Sequence, residues 1–384
     1  MRLLWITSRW GGHARWRLGD LRDVVAVLRE RGHEVRVVAA DASDDAPACE
    51  GVATAEGVRL RPEGRAMVRF AAWAQELEAS GDHDVSVSLT SLVSADLMMP
   101  TESLWSVGLG RRRRRVRSTL SPWLRKLVRI ESRAMDRQRT GRLLAFDDDL
   151  WRQVAACPSG PASPTGTLAP PVTIEALAEE ERRVRVDRLR YGLDIPESDR
   201  LVVCASLRPS EDIVDAVLRA HAGLVRSGYR VTLLLATWVG YRLNDRIARL
   251  GARERVRLVG TPERLPDLLR AADLVVHPAH DGAGELLVPM ALCLGRPMVV
   301  SDRAGGIDRV TDSGAAVRVL PFGASAQDWA GAIRGVLETE PGPCEERGDL
   351  IEAHGVLVAA ASVEAQLIAC QALKQQGQAK TADA

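Results

Sequence analysis

Residues 281–285, Asp-Gly-Ala-Gly-Glu, set two carboxylates around two glycines just before the apolar run Leu286–Leu294. Glycine lets a ligand come close to the backbone, and carboxylates in such a loop can accept hydrogen bonds from sugar hydroxyls or meet a cation. A plainer role for Asp281 and Glu285 stays open, because acids are favoured at a helix start, where the peptide dipoles leave partial positive charge. A second pair, Gly11 and Gly12, follows the apolar stretch "RLLWIT". Backbone N–H groups there would admit a phosphate or a sugar, if the pair is more than a tight strand-to-helix turn. Glu102, in "MMPTESLW", lies just past another apolar stretch. It could take or orient a proton in general acid–base chemistry, or simply begin a helix after Thr101.

The strongest charge signal is elsewhere. Residues 105–139 hold twelve Arg and Lys against Glu131 and Asp136, a local charge of +10. In a chain of net charge +1 the remainder is therefore −9, so one basic surface is expected and not a basic protein. Within it, Arg111, Arg112, Arg113, Arg114 and Arg115 form a run. After Ser121 and Pro122, a helix-starting pair, Trp123, Leu124, Leu127 and Val128 recur at helical spacing beside Arg125, Lys126, Arg129 and Arg133. That is a basic amphipathic helix with a tryptophan, fit to meet an anionic membrane surface, or an ordinary packed helix with a solvated arginine face. Aromatic residues are too sparse among these charges for a nucleic-acid site, and no nucleic acid is expected as partner.

These residues need elements to position them. "RLLWIT", "EVRVVAA", "VSVSLTSL" and "RLLAFDDDL" read as strands, and Leu21, Val24, Val25 and Leu28 mark a helix that stops at Gly32. Residues 155–172, with five prolines and two glycines, suit a linker. Beyond it, "RLVVCAS", "YRVTLLLAT", "RVRLVG", "DLVVHPA" and "PMVVSD" alternate with amphipathic helices. Short apolar strands alternating with helices predict parallel sheets covered on both faces. The expected class is α/β, with two Rossmann-like doubly wound domains facing a cleft. The first domain would span residues 1–168 with its basic segment at 105–139, the second 169–362, and a flexible polar tail 363–384.

At 384 residues, 46% hydrophobic and 27% charged, the composition is that of a soluble globular protein of two domains. The cysteines at 49, 157, 204, 293, 344 and 370 show no CxxC spacing and no His pairing, so neither a zinc site nor a disulfide framework is expected. The apolar run at the start is too short for a signal peptide, and no stretch reaches about 18 consecutive apolar residues. A cytoplasmic location is expected, at most peripheral at the inner membrane face.

The stretch "LVGTPERLPDLLRAADLVVHPAHDGAGELLVPMALCLGRPMVVSDRAGGIDRV" resembles the family 4 retaining glycosyltransferases of the GT-B fold. The run AAD, strand, HP, loop, helix, LGRP, strand, SD..GGI fits that signature without gaps. The early Gly-Gly loop and "TLAPPV" fit as well, so the resemblance covers nearly the whole chain. The basic segment stands where the lipopolysaccharide-core glucosyltransferases of this family carry a membrane-contacting insertion.

The resemblance implies transfer of a hexose from a nucleotide sugar to a lipid-linked or glycan acceptor, with retention, without cofactor or metal. It implies donor binding by Gly11, Gly12, Arg208, Gly260, Thr261, Gly284 and Glu285, and catalytic roles for Glu102 and Asp281. Arg111 to Arg115, Trp123, Arg125, Lys126 and Arg129 would contact a membrane or another polyanion. The family's ribose-binding Glu falls on Met290, its sugar-side Glu on Gly282, and its diphosphate Lys on Glu211 or Asp212. These replacements keep a second reading open: an inactive pseudo-glycosyltransferase that scaffolds or regulates an active homologue.

Overall fold

In the computed structural model, the described residues are 1–10, 21–42, 52–54, 64–101, 104, 122–136, 139–146, 148–155, 166–205, 211–236, 243–259, 265–278, 286–307, 316–339 and 345–382. The chain divides into two compact units, Met1–Pro171 with His354–Ala384, and Val172–Ala353.

The first unit carries β1 (Arg2–Trp10), α1 (Arg22–Glu30), β2 (Glu34–Ala42), β3 (Val52–Thr54), α2 (Gly64–Ala79), β4 (Val85–Ser88) and β5 (Leu97–Met98). There follow α3 (Pro122–Ala134), β6 (Arg142–Ala145), α4 (Asp148–Ala155) and β7 (Gly166–Thr167). The strands form one sheet in the order β3-β2-β1-β4-β5-β6-β7, each neighbouring pair parallel. Trp5 registers with Val37 on one side and Val87 on the other, and all three are buried. Leu3, Leu4, Trp5 and Ile6 are buried in succession, as they must be in a strand covered on both faces. Leu21, Val24, Val25 and Leu28 face the core as their spacing predicts, and the chain leaves α1 through Gly32 at φ +85°.

The second unit carries α5 (Glu179–Gly192), β8 (Arg200–Ala205), α6 (Glu211–Arg226), β9 (Val231–Ala236), α7 (Asn244–Arg249), β10 (Val256–Val259) and α8 (Leu265–Ala271). It continues with β11 (Leu274–His277), α9 (Leu287–Cys293), β12 (Met298–Ser301), β13 (Val317–Leu320), α10 (Ala326–Glu338) and α11 (Gly348–Ala353). Its parallel sheet runs β10-β9-β8-β11-β12-β13. Val217, Leu218, Leu224, Trp329 and Ile333 close the core over one face of that sheet.

The expected flexible tail at 363–384 is corrected. Residues Val356–Ala382 form one long helix, α12, which packs against α1, β4 and β5 of the first unit. Ala359, Ala360, Val363, Leu367 and Cys370 are its buried side. Glu364 pairs with Arg31 at 2.6 Å and His33 at 2.9 Å, and Lys374 reaches Asp96 at 2.7 Å. Burial and ion pairing outweigh the polar composition that suggested fraying. The compact second unit accordingly ends at Ala353, not 362, and begins at Val172. By length and composition alone, the helical stretch Gly348–Gln376 is apolar enough to cross a membrane, although polar residues interrupt it.

Candidate functional site

In both sheets the strand order reverses beside the first strand, between β1 and β4 in one unit and between β8 and β11 in the other. Open α/β sheets bind ligands in the crevice beyond the carboxyl ends of the strands at such a switch point, because the following loops diverge there.

In the second unit the switch point is closed by a side chain. His277, the last residue of β11, is fully buried, and its Nδ1 donates to the carbonyl oxygen of Ala205, the last residue of β8, at 3.3 Å. A carbonyl can only accept, so the proton sits on Nδ1. The loops that leave these two strand ends are 206–210 and 279–285. Arg208, Asp281, Gly282, Gly284 and Glu285 lie in them, outside the described residues, as do Gly260 and Thr261 after β10. Glu211 and Asp212 open α6 right after the first loop.

Helix α9 leads away from the second loop, and every residue from Leu286 to Leu294 is buried. Met290 is 4% exposed, so the position where the resemblance places a ribose-binding Glu is a packed apolar one. The helix ends because Gly295 takes φ +64°, with Arg296 N–H donating to Ala291 O at 2.9 Å. A Cβ on Gly295 would fall on the carbonyl oxygen of Glu345, so two constraints select glycine in the LGRP segment. Gly306, at φ +76°, lets the turn after β12 approach Pro289 of α9, where a Cβ would stand 3.3 Å from the proline Cδ. These motif glycines fix where α9 ends and how closely the post-β12 turn packs on it.

In the first unit, β1 ends at buried Trp10, directly before Gly11 and Gly12, which lie outside the described residues. Beyond β4, Leu89 N–H donates to Ile6 O, and Thr101 N–H donates to Leu89 O at 3.2 Å. Thr101 thus fixes the chain at the carboxyl end of the sheet one residue before Glu102, itself outside the described residues. Sequence reasoning missed one group here. Glu131, on α3, is fully buried and accepts a 2.6 Å hydrogen bond from Ser91 Oγ in the segment after β4. A lone acid among the arginines of α3, one turn past Leu127, was the available signal.

The basic helix splits into two faces. Leu127 is buried against Met67, Phe70, Ala71 and Ala74 of α2, with Trp123 and Ile130 packed on the same cluster. The Arg65 guanidinium lies 4.7 Å from the Trp123 ring centroid. Leu127, Trp123 and Ile130 are therefore taken up by the protein's own core, while Leu124 and Val128 are only partly buried. On the outer side Arg125, Lys126, Arg129 and Arg133 are exposed, and with Pro122 and Ile130 they line a cavity of about 420 Å³. Arg111 to Arg115 lie outside the described residues. No group of three His, Cys, Asp or Glu able to hold a metal occurs among the described residues.

Comparison with known proteins agrees with this fold. Residues 198–339, which span β8 to α10, match the family model "Glycosyl transferases group 1". A D-inositol 3-phosphate glycosyltransferase of Nocardia farcinica is 31% identical over 183 residues, covering 40% of this chain and 40% of that protein. The chain thus spans about two fifths of the length of the curated relative it matches. Among solved structures, WaaG, a glycosyltransferase involved in lipopolysaccharide biosynthesis, superposes with a TM-score of 0.74 at 18% identity, covering 94% of this chain and 95% of that one. HepE from Anabaena in complex with UDP and glucose gives 0.71 at 16% identity, covering 96% and 100%. The protein has the two-domain α/β GT-B fold, and its residues 198–339 match the group 1 glycosyltransferase model.

Proposed function

We propose that the chain transfers a hexose from a nucleotide sugar to a lipid-linked or glycan acceptor, with retention of the anomeric configuration. The observation that carries this reading is the switch point at Ala205 and His277, which lies inside the group 1 domain and from which both candidate donor loops depart. The proposed donor contacts are Arg208 for the diphosphate, Gly260 and Thr261 for the base, and Gly284 and Glu285 for the phosphosugar. In the first unit, Gly11 and Gly12 are the proposed donor-binding residues. Asp281 and Glu102 are the proposed catalytic groups, Glu102 on the acceptor side. HepE, of similar fold, was solved with UDP and glucose, which makes a uridine donor the first to try. The exposed Arg125, Lys126, Arg129 and Arg133 would hold an anionic acceptor or leaflet by charge alone, as a peripheral contact at the cytoplasmic membrane face.

Met290 favours a second reading. Helix α9 is wholly apolar and buried, so nothing on it replaces a ribose-binding carboxylate. On that reading the chain is a pseudo-glycosyltransferase serving an active homologue. Incubation with radiolabelled UDP-, GDP- or ADP-hexose and a membrane extract separates the two. Label transferred into lipid or glycan supports the enzyme; donor binding without turnover, at any protein concentration, supports the pseudoenzyme.

A further inference from the structure

Helix α12 has two apolar sides, and only one is covered. Opposite the buried side lie Leu357, Val358, Ala361, Ser362, Ala365, Ile368, Ala369, Ala372 and Leu373. Leu357 is 65% exposed, Val358 48%, Ile368 56% and Leu373 52%. This outer face carries no charge over sixteen residue steps, about 24 Å of helix. Its one hydroxyl, Ser362 Oγ, donates to Val358 O at 3.0 Å within the helix. Inward contacts hold the face rigidly outward: Glu364 to Arg31 and His33, Lys374 to Asp96, and Cys370 Sγ to the Asp96 carbonyl oxygen at 3.3 Å.

We propose that this face pairs with the same face of a second copy of the chain. The spacing selects a helix as occupant. Val358, Ala361, Ala365, Ile368 and Ala372 recur at intervals of three, four, three and four, the a/d repeat of a two-helix seam. The seam is also self-complementary. An antiparallel pair about a two-fold axis sets Val358 of one copy against Ile368 of the other and Ala361 against Ala365, a slim centre with bulky ends. A lipid surface fits less well. Helices lying in a membrane interface border their apolar face with Lys and Arg, and the outer face from 357 to 373 has neither at its edges. The footprint, about 24 Å by a helix width of about 10 Å, falls well below the ~800 Å² per partner of a standard interface. The pairing is therefore reversible and concentration-dependent.

Sedimentation velocity of the full chain tests it, over about 1 to 300 μM, a range suited to a weak interface. The wild-type mass should climb towards twice the monomer value with concentration. Ala365→Glu should stay monomeric throughout with an unchanged circular-dichroism spectrum. Ile368→Gln, a gentler change at an exposed position, should raise the dissociation constant roughly tenfold, and it keeps the test decisive if the glutamate variant does not fold. A wild type that remains monomeric across the range overturns the proposal. So does a dimer that both variants leave intact, or binding to zwitterionic vesicles that Ile368→Gln abolishes, which would make lipid the occupant.

Discussion

His277 Nδ1 donates across 3.3 Å to the carbonyl oxygen of Ala205, a side-chain bond added to the β11–β8 ladder at its carboxyl end, where the strand order reverses. Both residues are buried, so the bond cannot be exchanged for one to water. His277→Leu leaves the Ala205 carbonyl unsatisfied, which costs about 1–3 kcal/mol. It also removes the side-chain tie between the last residues of β8 and β11, from which the proposed donor segments depart. The expected result is a lower denaturation midpoint together with about tenfold weaker nucleotide-sugar binding. Stability lost with affinity unchanged would remove His277 from the positioning of the site.

Gly295 and Gly251 have nearly the same backbone, φ +64° and +66°, in different surroundings. A Cβ at Gly251 meets nothing within 4 Å, whereas one at Gly295 falls on the Glu345 carbonyl. Gly251→Ala should cost about 1 kcal/mol, the conformational strain alone. Gly295→Ala must also displace backbone, and 3 kcal/mol or more is expected. Urea melts of the two variants measure the difference directly.

Glu364 is held below the usual carboxylate range by its hydrogen bonds to His33 and Arg31. A depressed carboxylate contributes stability above its unfolded pKa and loses that contribution as pH falls through the folded value. Because the group is a quarter exposed, about 0.5–1 kcal/mol is expected. Glu364→Gln should therefore be less stable than wild type at pH 7. The gap should close as the pH falls below the ordinary carboxylate range, as seen in melting temperatures against pH.

The outer arginines of α3 test the peripheral contact separately from the packing of the helix. Arg125, Lys126, Arg129 and Arg133 are exposed, so replacing all four by Gln should leave the fold intact. At about 1 kcal/mol each near an anionic leaflet, their loss should weaken vesicle binding by two to three orders of magnitude. Equal co-sedimentation of wild type and variant with anionic vesicles would show that these side chains are not the contact.

Much of the fold was legible because its strands are short apolar runs and its helices stop at glycines. Gly32 and Gly295, both at positive φ, end α1 and α9 where the sequence places the stops. Two helices left no such trace. Helix α5 is charged on every side and buries no residue, so no apolar stripe marks it. Helix α12 is apolar on opposite sides, which cancels the one-sided periodicity that reveals an amphipathic helix. Its return to the first unit depends on Lys374 meeting Asp96, 278 residues earlier, a pairing that spacing cannot disclose. At the site, the strands β8 and β11 that precede the proposed donor segments were readable as short apolar runs. The buried Ser91–Glu131 bond was not, because it joins a post-strand segment to a helix forty residues on.

The central claim is that the switch point of the second unit serves a nucleotide sugar. Isothermal titration of the full chain with UDP-glucose, and then with GDP- and ADP-hexoses, tests it most directly. The account predicts saturable one-to-one binding of at least one of these donors, lost or weakened about tenfold in His277→Leu. No heat from any donor up to about 10 mM, a concentration at which even contacts weaker than about −4 kcal/mol register, would contradict it.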